Sequence, residues 1–460
     1  MPEEYGFSPT GYTLERAHLI PFSEWENDSF EPEDISNFIY YFTFTQSLDN
    51  AAYSGSINVL DNQGMLEFFP LRGEERIKLK LVTSDTNTTI DLDLFVHDVN
   101  AIKPQDDTKG SAYTLSVVSY TSFLAAKRKV IEGFKLPASL MVRDIVNKYY
   151  DSIATGEATD TNNQVFPYAV KRHPFVKHEN KSIYIQPTVG IMETVIPNLT
   201  PAKAIKFIAG RSWSGDEQAS QSFRFFETWD AYNFVTDEFL VEANKDSPHK
   251  LHYTPGTGSQ EPTEMENQIQ RIENMQIIST GRTTSGAIDT GAYRLKVMEI
   301  DLVRGVVNNK NYDYLQDANF RDMAGEVDTE KNNLPHTKDY IEDTFTEENS
   351  KDFIVYKNYS GTGDLPGPLR GDAFFPEIIQ RRVAYSNHLN TVVLGLQLKG
   401  RADLRPGHVC DIDIQALNAS PDVKLSPQLS GRYLIKSVTH EFDMGTLKTS
   451  MQVAKFDWSS

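Results

Sequence analysis

The sequence contains almost no cysteine and no long apolar run. Cys410 is the only cysteine among 460 residues, so no disulfide can form within the chain and folding needs no oxidising compartment. No apolar stretch approaches the roughly 18 residues that cross a bilayer, and residues 1–11 lack the basic start and apolar core of a secretory signal. We therefore expect assembly in the cytoplasm, without membrane insertion.

Positive charge is also scarce. Lys and Arg total 45 against 64 Asp and Glu, which gives a formal net charge of -19. Because affinity for a nucleic-acid backbone comes largely from clustered Lys and Arg, this balance argues against a broad duplex-binding surface. An acidic surface would also fail to hold DNA that passes along it, but any acidic globular protein shares that property.

Motifs that hold nucleotides are absent from the sequence. There is no Gly-Lys-Ser/Thr loop to cradle phosphates, and the nearest glycine cluster has neither dinucleotide spacing nor a strand leading into a helix. This cluster consists of Gly361, Gly363, Gly367 and Gly371. A turn is the better interpretation, and we predict no cofactor.

Histidine pairs are present but lack the partners that a metal site needs. His173 and His178 are five residues apart, and His249 and His252 are three apart, a spacing that a helix could bring onto one face. A proline lies beside each pair, however, and no cysteine or carboxylate cluster completes either one. We interpret all four as ordinary surface histidines and predict no metal site.

Candidate catalytic groups are equally weak. Asp91 with Asp93, and Asp411 with Asp413, place two carboxylates on one strand face, which acid/base hydrolysis can use when the pair flanks a cleft. Outward-facing carboxylates are also ordinary in alternating strands and discourage edge pairing, and this is the interpretation we favour. Cys410 has apolar neighbours and is interpreted as a small core residue. We predict no catalytic residue.

What the sequence does contain is a set of alternating strands. Residues 77–81 and 90–96 alternate between apolar and charged side chains around a polar turn, which predicts an antiparallel hairpin. Further segments with aromatic and β-branched composition are residues 38–45, 53–60 and 113–120. Together they predict a compact all-β unit at residues 35–125, preceded by an N-terminal extension at residues 1–34.

The pattern then changes to a predicted middle domain of mixed α/β structure with a linker, at residues 126–263. Apolar residues three and four apart follow Ser139 and predict one helix. Thr200, Pro201 and Gly210 mark the start and end of a second helix. Its apolar stripe consists of Ala204, Ile205 and Ile208. Residues 223–239 are strand-like, and residues 255–262 have linker composition.

A second β unit is predicted from residues 264–310 plus 376–460. Its alternation is clearest at Leu394, Leu396 and Leu398, and it recurs towards the C-terminus. Between the two parts lies a predicted acidic insert at residues 311–375. Residues 313–352 contain twelve Asp or Glu against four Lys or Arg, with few apolar residues, and we expect a solvated loop.

Three segments resemble the baseplate hub proteins of T-even-type bacteriophages and their relatives in other contractile injection systems. The first is YSGSINVLD at residues 53–61, followed by the paired strands of residues 77–102. The second is residues 201–239, where PAKAIKFIAGRS leads into SFRFFETWDAYNF. The third and most specific is residues 379–458, with LRPG and then LSGRYLIKSVTHEFDMGTLKTSMQVAKFDW. Residues before 36 and the acidic insert are not explained by this resemblance.

The resemblance implies a mainly β (α+β) fold with two tail-tube-like antiparallel β-barrel domains and a mixed α/β inserted segment. It also implies a homotrimer, whose six barrels face the hexameric tail tube on one side and hold the trimeric central spike on the other. Baseplate wedge proteins would surround the ring, and tape-measure protein and DNA would pass through its channel. The family has no catalytic residue, cofactor or metal to transfer, and it assigns no interface residue here.

An alternative of another class is a β-rich tail-associated protein that binds or cleaves carbohydrate. Its candidate sugar-stacking aromatics are Trp213, Trp229 and Tyr232, although aromatics in such a strand, turn and strand more often anchor a core or an interface. A tail tube subunit is a third possibility. It is disfavoured by length, because a tube subunit needs one barrel and this chain is predicted to contain two.

The alternating pattern makes a prediction at Leu396. In the variant Leu396→Asp, the strand would bury an unpaired charge, which costs at least several kcal/mol. We expect the C-terminal unit to lose soluble folding, measured as the soluble yield and the circular dichroism of the purified chain. A soluble variant with an unchanged spectrum would contradict the assignment of residue 396 to the core face.

Overall fold

A computed structural model describes most of the chain, and everything below concerns those residues. The described residues are 11–24, 29–61, 71–83, 88–104, 111–150, 152–155, 166–172, 181–215, 221–244, 246, 248–255, 269–279, 294–301, 305–313, 351–356, 379, 381–383, 385–386, 389–390, 392–420, 423–426 and 428–456. The predicted linker at residues 256–262, the glycine cluster at residues 361–371 and almost all of the acidic segment 313–352 lie outside them.

Strands dominate the described residues, as the sequence predicts. The strands up to the middle of the chain are β1 (Tyr12–Ile20), β2 (Glu33–Asp34), β3 (Ile39–Ser47), β4 (Ser54–Asp61), β5 (Arg76–Thr83), β6 (Thr89–Pro104), β7 (Ser111–Ser119), β8 (Gly133–Leu136), β9 (Ser152–Thr155), β10 (Phe166–Arg172), β11 (Lys181–Ile185), β12 (Met192–Val195), β13 (Phe223–Glu227) and β14 (Ala231–Thr236).

The later strands are β15 (His249–Tyr253), β16 (Ile272–Ser279), β17 (Arg294–Asp301), β18 (Val306–Asp313), β19 (Lys351–Tyr356), β20 (Val393–Lys399), β21 (Val409–Ser420), β22 (Val423–Leu425), β23 (Gly431–Asp443) and β24 (Thr446–Lys455). The helices are α1 (Tyr120–Ala126), α2 (Ala138–Tyr149), α3 (Pro201–Ala209) and α4 (Asp237–Asn244), with 3-10 turns at Phe22–Glu24 and Ser36–Phe38. None of the described helices is long and apolar enough to cross a membrane.

The first barrel is a circuit of paired strands in the order β3-β4-β7-β6-β5-β1. Its core is made by the inward side chains of the alternating strands, including Phe44, Ile57, Leu79 and Leu92. The predicted hairpin of residues 77–81 and 90–96 is confirmed as the pair β5 and β6. The tip of the β23–β24 hairpin completes the circuit, because β23 pairs with β3 and Gly11 bridges Thr446.

The second barrel has the order β16-β20-β24-β23-β21-β15. A bridge between His252 and Arg271 brings β15 back to the start of β16 and completes this circuit. The predicted apolar face is confirmed, since Leu394, Leu396 and Leu398 are all at most 2% exposed in its core. Closing a sheet in this way removes edges that would otherwise expose hydrogen-bonding groups.

The two barrels have the same strand order. If the six main strands of each are numbered along the chain, both run 2-3-6-5-4-1. Neighbouring strands are antiparallel at every step in the first barrel. The second barrel differs at its first strand, because β15 runs parallel to β21 and its closing bridge to β16 is parallel too. The expected antiparallel barrels are therefore found with this one exception.

The β23–β24 hairpin belongs to both barrels. Near its base, Tyr433, Ile435 and Val453 are fully buried in the core of the second barrel. Near its tip, Phe442 and Leu447 are buried in the core of the first barrel. The turn itself consists of Met444 and Gly445 with φ of 41° and 87°, the two positive values of a type I′ turn, which matches the twist of a hairpin.

The middle domain has its own core. A sheet in the order β13-β14-β11-β10-β9 packs with α2 and α3, and β11 runs parallel to β14. Both predicted helices are confirmed, and the stripe Ala204, Ile205 and Ile208 is fully buried. Thr200 is the N-cap residue of α3 but its side chain makes no capping hydrogen bond.

The structure differs from the predicted domain boundaries in three places. β1 lies within the predicted extension 1–34, where a register shift between Leu14 and Arg16 interrupts the alternation that would have revealed it. β15 lies within the predicted middle segment 126–263 but pairs in the second barrel. β17 and β18, expected in that barrel, instead form a separate three-stranded sheet with β19 from the predicted insert 311–375. An alternating sequence pattern identifies a strand but does not determine which other strand it pairs with.

The shared hairpin makes a prediction at Phe442, which is 1% exposed. Phe442→Ala should lower the free energy of unfolding by about 3–5 kcal/mol, because it leaves a cavity in the first barrel core. Urea denaturation measures this loss. The matched control is Met444→Ala, two residues along and 79% exposed, which should change stability by less than about 0.5 kcal/mol. Equal stability of the two variants would show that the tip does not support the first barrel.

Candidate functional site at the junction of the two barrels

The two barrels meet where β3 and β23 pair. Tyr41–Ser47 of the first barrel runs antiparallel to Ser437–Asp443 of the second, so one backbone ladder continues from barrel to barrel. On one face of this ladder the hydroxyl groups of Thr45 and Thr439 are 2.8 Å apart. On the other face the side chains enter the protein interior.

Aromatic rings fill the interior face of the junction. The ring of Phe442 lies 5.3 Å from that of Phe42 and 6.0 Å from that of Phe44, and Tyr12 meets it edge-on at 4.9 Å. The imidazole of His440 lies 4.8 Å from the Phe44 ring. Aromatic pairs at these separations stabilise beyond their buried area, by roughly 0.5–1.5 kcal/mol each. The junction is therefore a packed interface, not a flexible hinge.

A hydrogen-bonded network of charged and imidazole groups lies beside these rings. Arg401 donates two hydrogen bonds of 2.7 Å to the carboxylate of Asp403 and a third of 3.1 Å to Nδ1 of His249. Because a guanidinium only donates, Nδ1 of His249 accepts, and Nε2 carries the proton of the neutral ring. Nε2 then donates to Nδ1 of His408 at 3.1 Å. The network links β15 to the loop between β20 and β21.

Burial keeps the imidazoles of the junction neutral. Desolvation, with the nearby His249, lowers the pKa of His408 to about 4. Desolvation likewise lowers the pKa of the fully buried His440 to about 4. Burial alone would raise the pKa of Asp403, but the hydrogen bonds and charge of Arg401 outweigh it and lower that pKa. At neutral pH the network holds one ion pair and uncharged histidines.

The middle domain docks onto the same junction through the turn between β13 and β14. The backbone N–H of Trp229 donates to Oε1 of the buried Gln46 at 3.0 Å. Arg405 places its guanidinium 4.7 Å from the centre of the Trp229 ring and donates to Asp230 at 2.6 Å. Strand β3, the turn and the loop before β21 are thereby fixed to one another.

A buried ion pair makes a second contact between the middle domain and the first barrel. Lys181 and Glu227 pair with side chains at most 2% exposed. Ser119 and Ser122 donate to the two carboxylate oxygens of Glu227, at 2.6 and 2.5 Å. The Lys181 ammonium also lies 4.5 Å from the centre of the Tyr232 ring. A desolvated pair with this many partners is costly to break, by roughly 3–5 kcal/mol when one partner is removed.

The histidines singled out in the sequence are placed differently from the prediction. His249 and His252 lie on a strand, and His249 is half-buried within the junction network, so it is not an ordinary surface histidine. Among the described residues there is no cluster of three or more groups that could hold a metal ion. His173 and His178 lie outside the described residues.

The structure also shows the surroundings of the predicted carboxylate pairs and of the cysteine. Asp93 faces away from the barrel core but is not outward-facing in solvent: α1 covers it, and Arg76 donates hydrogen bonds of 2.8 and 2.9 Å to it. Asp413 is exposed, and Asp411 pairs with Arg432 at 3.3 Å. Cys410 is fully buried, which raises the pKa of its thiol and confirms its interpretation as a core residue.

The candidate sugar-stacking aromatics are buried or partly covered. Trp213 and Tyr232 are 5% and 1% exposed, and Trp229 is half-buried beneath Arg405. A stacking platform needs a ring face that a sugar can reach. These three residues therefore act as core and docking side chains.

Sequence reasoning singled out His249 and Trp229 but missed the rest of the junction and the way its residues come together. Arg401, Asp403 and His408 carry no motif, and only the clustering of charged residues around Pro406 and Gly407 could have drawn attention to them. Glu227 and Lys181 are 46 residues apart and have no pattern that links them. Such contacts arise from tertiary packing, which residue spacing does not encode.

Comparison with known proteins gives no match at the level of sequence families: neither a family model nor a curated protein matches the chain. Solved structures do match. The tail protein from Neisseria meningitidis superposes with a TM-score of 0.51 at 10% identity, over 97% of this chain and 97% of that one. At this identity the likeness concerns the fold alone, and it agrees with the mainly β tail-protein fold that the resemblance implied.

Two further solved structures are similar at TM-scores below 0.5, which carry no argument about this chain. The 43 kDa tail protein of prophage MuSo2 from Shewanella oneidensis has a TM-score of 0.46 at 10% identity, covering 95% of this chain and 97% of its own. A component of the type VI secretion system of E. coli has a TM-score of 0.39 at 8% identity, covering 96% and 76%.

The lowered histidine pKa values predict a pH dependence of stability. Unfolded histidine has a pKa near 6.5, so between about pH 6.5 and 4 the unfolded chain binds protons that folded His408 and His440 exclude. Stability should therefore fall as the pH falls through this window, by at most about 1.4 kcal/mol per pH unit for each of the two groups. Urea denaturation at about pH 7 and about pH 5 measures the difference.

The control for this prediction is His440→Gln. It should be less stable than the original chain at neutral pH, because the packing against Phe44 changes, but it should lose less stability on acidification. An unchanged difference between the two pH values would mean that His440 titrates normally in the folded protein. Carboxylates contribute little here, because their ordinary pKa values lie below about 4.5.

Proposed function

We propose that the chain is a non-enzymatic structural subunit of a contractile-tail baseplate, the central hub. Three copies form a ring, whose six barrels present a pseudo-sixfold face to the hexameric tail tube. The other face carries the trimeric central spike. The subunit thus adapts sixfold to threefold symmetry.

The observation that carries this proposal is the presence of two barrels with one strand order in a single chain. A closed ring of three such chains contains six barrels of the same order, whereas a ring of single-barrel subunits needs six chains. The shared β23–β24 hairpin and the packed junction support it further, because they hold the two barrels at a fixed relative position.

The partners and location follow from this role. Tail tube and spike proteins bind opposite faces of the ring, baseplate wedge proteins surround it, and tape-measure protein and DNA pass through its channel. The formal net charge of -19 gives such a channel little attraction for DNA phosphates. The subunit is made in the host cytoplasm and resides in the virion tail baseplate. The fold likeness to a tail protein supports this placement.

The proposal predicts the mass of the assembled protein. Light scattering should show three copies of the 52.0 kDa chain, either in the purified protein alone or, with the mass of the bound spike protein added, after mixing with the spike protein of the same virion. Negative-stain images should show a ring. A stable monomer that binds neither tube nor spike protein would contradict the hub role, and release of reducing sugars from host envelope polysaccharide would support the carbohydrate-cleaving alternative instead.

A further inference from the structure

Two strand edges are left without a strand partner in the described residues. β16 pairs only with β20, and along its other edge Asn274 to Ile278 face no described strand. Ile277 and Ile278 are 45% and 48% exposed. β6 pairs with β7 along its whole C-terminal half, but its pairing with β5 ends at Phe95. Gly73 in the loop before β5 lies beside His97 and Asp98, and from Val99 to Pro104 the other edge of β6 faces no described strand.

These two edges occupy equivalent places in the two barrels. β16 is the second strand of its barrel, as β3 is of the first. β6 is the fifth strand of the first barrel, as β23 is of the second. Within the chain, the edges of β3 and β23 pair with each other. The edges of β16 and β6 are their unpaired counterparts.

Bulges at matching positions show which residue of β6 corresponds to which residue of β23, and likewise for β16 and β3. β6 shifts register against its neighbour between Val96 and Asp98, and β23 does so between Ile435 and Ser437. β3 shifts between Ile39 and Tyr41, and β16 between Ile272 and Asn274. A bulge is a specific feature of a strand and its position sets the register beyond it. Asn100 therefore corresponds to Thr439, and Gln276 to Thr43.

β6 and β16 each contain one residue more than their equivalents β23 and β3, and the two insertions lie where they would face each other. β6 shifts register a second time between Asn100 and Lys103, where β23 has no shift. β16 shifts between Ile277 and Ser279, where β3 has no shift. When β6 and β16 are aligned on the ladder of β23 and β3, both insertions lie between the same two residue pairs of that ladder. The edges of β6 and β16 can therefore pair with each other over an unbroken ladder. Neither could pair in this way with β3 or β23, because these strands lack the extra residue.

We propose that β16 of one chain pairs antiparallel with β6 of a second copy of the same chain, continuing the ladder that β3 and β23 form inside each chain. In this register Asn100 lies opposite Ser279, Ala101 opposite Ile278, Ile102 opposite Ile277 and Lys103 opposite Gln276. The contact is heterologous, so three copies close into a ring. The inference rests on the trimeric hub proposed above and specifies its interface.

Disulfide trapping tests this register on the full-length chain. The only native cysteine, Cys410, is buried, so Asn100→Cys with Ser279→Cys introduces the only accessible thiols. Mild oxidation should yield a covalent trimer on a non-reducing gel. A second pair in the same register, Lys103→Cys with Gln276→Cys, should do the same.

Matched controls come from the chain itself. Thr45→Cys with Thr439→Cys, whose hydroxyls are 2.8 Å apart, should form a bond within one chain. Asn100→Cys with Glu273→Cys places the thiols six residues apart along the proposed register, about 20 Å, and should not cross-link. A trimer by light scattering in which neither in-register pair cross-links would overturn this interface while leaving the hub proposal standing. A monomer with no cross-link would contradict both.

Discussion

Seven backbone pairs between β3 and β23 are the constraint on which the rest of the structure depends. They join segments from opposite ends of the chain and carry side chains on both faces. Because strand side chains alternate, a slip of one residue would move His440 and Phe442 out of the interior and bring Thr439 and Glu441 in. The buried aromatic contacts of Phe442 therefore fix the register, and the register fixes how the two barrels sit on each other.

The middle domain adds fixed points to this arrangement without taking part in either barrel circuit. It contacts the junction through Trp229 and Asp230, and the first barrel through the buried pair of Lys181 and Glu227. Hydrogen bonds to buried ions depend strongly on geometry, since a small displacement leaves a desolvated charge without its partner. The domain thus holds the barrels in place, as the proposed role of a symmetry adaptor requires.

The sequence predicts local structure well and the pairing of distant segments poorly. The hairpin of β5 and β6, the α3 stripe and the apolar face of β20 follow directly from periodicity. β1 escaped because its bulge breaks the alternation, and β17 was assigned to the wrong sheet because alternation names no partner. Asp93 looked exposed because nothing in its strand pattern reports the helix α1 that covers it.

The central claim is that the two barrels of one chain act as equivalent units of a sixfold-like ring. Electron cryomicroscopy of the assembled protein tests it most directly, by superposing the second barrel on the first within a threefold map. The account predicts a rotation of about 60° around the threefold axis, with both barrels at the same radius, since six similar units must match a hexameric tube. Barrels at clearly different radii, or related by another rotation, would contradict it even if the protein proved to be a tail component.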